Sequence, residues 1–95
     1  MFVIFLKFSD NKPKAGEFME GHNAWIKQGM DDGIFLVVGS LQPNQGGAIL
    51  AHGESLAELE NRVKRDPFVA ENVVTMEIAE ISAAQADSRL QFLLE

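Results

Sequence analysis

The chain has 95 residues, 46% of them hydrophobic and 23% charged, with no cysteine and with eight Lys and Arg against fourteen Asp and Glu, a formal net charge of −6. That length makes one domain able to bury about two-thirds of its unfolded surface, and the mixture of apolar and charged residues excludes a disordered or membrane-spanning chain. The missing cysteines exclude disulfides, thiolate nucleophiles and cysteine metal sites, and the acidic excess argues against nucleic acid, whose binding requires neutralised phosphates.

The opening run MFVIFL has no basic flank and is too short for a signal-peptide core or a membrane span, so it is expected to be a first strand in a cytoplasmic protein. Within it Phe2, Ile4, Leu6 and Phe8 alternate with Val3, Phe5, Lys7 and Ser9, giving one apolar face and one half-apolar face. After the turn SDNKPK, residues Ala15, Phe18, Met19, His22, Trp25, Ile26 and Gly29 recur at helical spacing, which predicts an amphipathic helix over 14–28 that Asp31-Asp32-Gly33 ends. IFLVVGSL, residues 34–41, is nearly continuous in apolar side chains and predicts a strand buried on both faces. QPNQGG reads as a hairpin loop and AILAH as the returning strand.

Ser55 and Glu58 have capping-box spacing at the start of a second helix, which the Asp66-Pro67 step closes. Arg62, Lys64 and Arg65 fall in its last turn, where cations complement the helix dipole. NVVTMEIAEI supplies a fourth strand. Ser82 and Gln85 then have the spacing of another capping box, which predicts a C-terminal helix striped by Ala86, Leu90, Leu93 and Leu94.

The order is βαββαβ plus a helix, an α+β, ferredoxin-like pattern with an antiparallel sheet, in a domain over residues 1–82 and a helical extension over 83–95. Two helices cover one face of such a sheet. Because the first two strands carry apolar residues at both parities, the other face calls for a second copy, packed sheet to sheet as a homodimer that the C-terminal helix would seal or extend.

His22 is the most informative residue for chemistry, since it lies in the apolar stripe one turn from both Phe18 and Ile26. An imidazole facing inward needs a hydrogen-bond partner, or it costs about 1–3 kcal/mol. Asp66 is the best-placed carboxylate, because Pro67 forces it into an extended conformation where the second helix leaves the sheet. A carboxylate on one imidazole nitrogen fixes the tautomer and leaves the other nitrogen free to move a proton. Two plainer readings stand beside this: a histidine merely satisfied in the core, and Asp66-Pro67 as the N-cap and first residue of a short helical turn.

His22, the strand entry from Asp32 to Gly39 and the segment ending RDPFVAENVV together resemble the YciI (YCII-related) family of small dimeric α+β-barrel proteins, from Phe2 to about Ser82. The Asp66-Pro67-Phe68 step is the most specific part. The resemblance implies that His22 and Asp66 form a catalytic acid–base pair lining a pocket, and Met19, Trp25, Ser40 and Phe68 are the candidates to contact a small-molecule ligand there. This chain has Met19 where many members carry arginine, Ser40 where many carry proline, and Val74 where many carry tyrosine; it has no tyrosine at all, which rules out a phenolic acid.

Other candidates carry less. His52, before Gly53, reads as a solvated turn histidine; with His22 it makes no metal-ligand spacing, so no metal is expected, and no cofactor is implied. The leading expectation is acid–base chemistry of isomerase, lyase or hydrolase type on a small compound. The competing one is a dimer that binds a ligand or partner without catalysis, its His–Asp pair serving only to tie two helices together.

Overall fold

The computed structural model describes residues 1–94, so Glu95 of the expected C-terminal extension lies outside the described residues. Strands β1 (Phe2–Phe8), β2 (Phe35–Leu41), β3 (Gly46–Ala51) and β4 (Val74–Glu80) form one antiparallel sheet in the order β2-β3-β1-β4. Helix α1 (Ala15–Asp31), helix α2 (Leu56–Lys64) and the short helix α3 (Pro67–Ala70) supply its helical partners. This is the α+β, ferredoxin-like arrangement anticipated from the sequence.

The alternation in β1 sets the layers. Phe2, Ile4 and Leu6 are buried with Ile49, Ala51, Leu59, Val63 and Phe68, while Val3 and Phe5, pointing the opposite way, are only half-buried. Each fully enclosed apolar side chain contributes about 1.5–3 kcal/mol, so the helix-facing half of the sheet dominates the stability of one chain. β2 was expected to be buried on both faces, yet it is an edge strand with Val37 60% exposed. A bulge between Phe35 and Val37 turns the strand at this point, and a single chain offers nothing to cover its outer side.

Two glycines fix how α1 meets the sheet. Gly33 has φ 74° and ends α1 in a Schellman motif, with Gly33 N–H donating to the Met30 carbonyl at 3.0 Å and Ile34 N–H to the Gly29 carbonyl at 3.1 Å. At Gly29 a side chain would run into the Phe35 ring, so a residue without Cβ is what allows α1 to lie against β2. The capping box at α2 forms as its spacing predicts: Glu58 N–H donates to Ser55 Oγ at 3.2 Å and Ser55 N–H to Glu58 Oε1 at 3.0 Å.

The C-terminal extension differs from expectation. No helix starts at Ser82; residues 82–87 are irregular, Asp87 caps instead, and a 3₁₀ segment runs over Ser88–Leu93. Helices this short are marginal without a continuous buried face, and here Leu93 is buried whereas Leu90 is exposed. No helix among the described residues is long and apolar enough to cross a membrane.

Candidate functional site

The site begins at the Asp66-Pro67 step. Pro67 holds Asp66 extended (φ −60°, ψ 123°), and Asp66 caps the short helix α3 by accepting from Phe68 N–H at 3.0 Å. The same oxygen, Oδ1, meets His22 Nδ1 at 2.8 Å. Asp66 is fully buried. The acid is therefore both the helix cap and the partner of His22, and the two readings of this step in the sequence describe one carboxylate.

An ionised carboxylate can only accept, so toward ionised Asp66 the donor of this hydrogen bond is His22 Nδ1–H. Phe68 holds the ring from the side: its phenyl lies parallel to the imidazole, with centroids 3.9 Å apart and planes 4° from parallel. Gly21, adjacent to His22, lets α1 approach Pro67 closely.

Among the described residues, Asp66 Oδ2 is the buried side-chain polar atom left without a partner. His22 Nε2 also makes no hydrogen bond among the described residues, but it is not enclosed. His22 lines a cavity of about 280 Å³ together with Met19, Asn23 and Ile26 of α1, Phe68, and residues of all four strands. Ser40, from β2, faces His22's helix from the sheet side. The resulting geometry is a histidine whose Nδ1 is fixed by a buried carboxylate and whose ring lines a mostly apolar space.

Of the residues singled out in the sequence, His22, Met19, Ser40 and Phe68 line this cavity. Trp25 does not: it packs edge-on against Phe35, with centroids 5.0 Å apart, and donates from Nε1 to the Arg62 carbonyl at 2.9 Å, standing behind His22 as support. Asn23 is the polar lining residue that the sequence reading missed; its position directly after His22, on the shoulder of the apolar stripe, is the signal that would have found it. His52, expected to be solvated, is half-buried and meets the Phe92 ring of the C-terminal segment at 5.3 Å. No group of three or more His, Cys, Asp or Glu among the described residues has the geometry to hold a metal ion.

Within the basic cluster at the end of α2, Arg62 has a structural task. Arg62 donates to both Glu54 oxygens, at 3.0 and 2.7 Å, and to Asp32 at 2.9 Å. The Glu54 hydrogen bond, opposed by burial and helped by Asp32, holds the guanidinium firmly protonated. Asp32 in turn lies below the usual carboxylate range, because Arg62 and then Gln28 donate to it.

Sheet order, crossing helices and cavity together define a ferredoxin-like α+β protein with a ligand-sized hollow between helix and sheet. The model of the YCII-related domain matches residues 1–82, and the chain belongs to that family. One solved structure of similar fold is the 5-chloro-2-hydroxyhydroquinone dehydrochlorinase of Burkholderia phenoliruptrix, in complex with 2,5-dihydroxybenzoquinone. It has a TM-score of 0.68 and 14% identity, over 85% of this chain and 93% of that one. No curated protein matches the chain in sequence.

Proposed function

We propose that the protein is an enzyme in which His22, oriented by Asp66, moves a proton on a small organic compound bound in the cavity. One observation carries this reading: His22 lines a cavity of about 280 Å³ while its Nδ1 is tied to a buried carboxylate and its Nε2 is left unpaired among the described residues. As base, Nε2 takes a proton from a C–H or O–H of the bound compound, and the imidazolium formed lies against the Asp66 carboxylate, which favours it. Returning the proton at another atom of the substrate completes an isomerisation; departure of a leaving group with its electron pair completes an elimination, the proton passing on to water. The similar fold of a dehydrochlorinase holding a single-ring compound supports a substrate of that size.

A homodimer fits the same picture. Val3, Phe5, Leu50 and Val37 share the sheet face away from the helices, and packing two such faces together would remove them from water. Ile81, Leu90 and Phe92 leave apolar surface on the C-terminal segment that would extend that contact.

A second reading has its own support, the 3.0 Å bond from Phe68 N–H to Asp66 Oδ1, which gives the carboxylate a purely structural task. In it the protein binds a ligand without converting it. Hydrogen–deuterium exchange in D₂O separates the two. With a panel of small neutral ring ketones and phenols followed by proton NMR, the catalytic reading expects a ring C–H to exchange roughly 10²-fold faster with the wild type than with His22→Asn. Exchange that His22→Asn leaves unchanged across compounds that bind would leave the structural reading standing.

A further inference from the structure

We infer that Asn23 and Ser40 form the recognition pair of the cavity, and that its substrates are uncharged compounds of about one ring carrying two oxygen substituents that hydrogen-bond. This rests on reading the cavity as the binding site and adds the kind of compound it takes.

Size sets the first bound. A dry cavity of about 150 Å³ admits benzene, so about 280 Å³ accommodates one ring with substituents. Charge sets the second. No Asp, Glu, Lys or Arg lines the cavity, so apart from His22, whose charge Asp66 already faces, a carboxylate, phosphate or ammonium entering it would give up hydration for no counter-charge. Lys12 places its ammonium 4.6 Å above the Phe8 ring, yet it is an exposed side chain outside the lining.

The polar groups set the third. Apart from His22, Asn23 and Ser40 are the lining side chains able to hydrogen-bond, and neither makes a side-chain hydrogen bond within the described residues. Ser40 pairs in register with Gly47, whose missing side chain leaves the hydroxyl uncovered. Asn23 stands one residue beyond the proton-moving His22. An amide and a hydroxyl each donate and accept, so both can hold a substituent as hydroxyl or as carbonyl. That suits a ring whose hydroxyl and keto forms interconvert as His22 takes and returns a proton.

The test is an NMR titration of the full chain at pH 7 with resorcinol (neutral, two hydroxyls), toluene (neutral, none) and benzoate (an anion). Resorcinol is expected to shift the Ser40 and Gly47 amides and to bind at least tenfold tighter than benzoate. Asn23→Ala and Ser40→Ala each weaken resorcinol about three- to tenfold, the share of one hydrogen bond, and leave toluene unchanged. Both positions are exposed, so the variants fold. Benzoate binding as tightly as resorcinol, no binding of resorcinol, or full resorcinol affinity in both variants would overturn the inference. Resorcinol selectivity that persists while His22-dependent exchange is absent removes the proposed proton transfer and leaves this recognition standing; exchange that persists without the selectivity does the reverse.

Discussion

Two ionic clusters flank α2, and they are built on opposite plans. Around Arg62, Glu54 and Asp32 receive three donated hydrogen bonds from one guanidinium, with Gln28 adding another to Asp32 at 2.7 Å. None of these residues lines the cavity beside His22. Around Asp66, one oxygen takes two hydrogen bonds, the other takes none although it is buried, and the attached imidazole keeps an unpaired nitrogen on a residue that lines a hollow. A cluster that serves the fold uses up its donors and acceptors, because each buried group left alone costs about 1–3 kcal/mol. A cluster that keeps capacity in reserve beside a cavity is arranged for a guest.

Substitutions at the two clusters should therefore part company. Asp66→Ala is expected to have the largest effect, about 3 kcal/mol of destabilisation in a denaturant melt, since it removes a helix cap and the partner of a half-buried imidazole together. Asp66→Asn keeps an oxygen for Phe68 N–H and should cost only about 1 kcal/mol, while losing the acidity that fixes His22. Arg62→Ala comes next, at about 2 kcal/mol, because a partly buried Glu54 loses its bidentate partner; resorcinol binding in the cavity should be untouched. Gly47→Val shows the converse. Its side chain would enter the cavity between Leu6 and Ser40, with Cβ 3.3 Å from the Gly39 carbonyl, so stability should fall by about 1 kcal/mol while ligand-induced shifts disappear.

The smallest effect is on pH. The Asp32 carboxyl is held low by Arg62 and Gln28, so its contribution is present above the ordinary carboxylate range of about pH 4 and is lost as pH falls through the lower folded value. Thermal melts of Asp32→Asn should accordingly show less acid sensitivity below pH 4 than the wild type, with a modest difference because the group is exposed.

Much of this architecture is legible in the sequence. The alternation in β1, the capping box at Ser55, the Asp-Asp-Gly stop and the Asp66-Pro67 step are local devices, and each acts within a few residues of where it is read. His22 is legible for a related reason: a titratable ring in an apolar stripe demands a partner, and the topology offers few. What escaped depends on distant neighbours. Val37 looks like core but lies on an edge strand, because strand order is a property of the whole sheet. Ser82 has the form of a cap, but the segment after it has no surface against which to bury a helical stripe. Trp25 has the stripe position of a core residue and packs as one, against Phe35 and the Arg62 carbonyl, so its candidacy as a ligand contact falls away. The cavity itself arises where bare glycine in β3 faces side chains of α1, a juxtaposition no single stretch records.

Nitrogen-15 NMR of the His22 ring, at a pH where the imidazole is neutral, tests the central claim most directly. The account predicts a single tautomer with its proton on Nδ1, toward Asp66, and a bare Nε2 whose resonance moves when resorcinol fills the cavity. A proton on Nε2, or a mixture of tautomers that ignores the ligand, would contradict it.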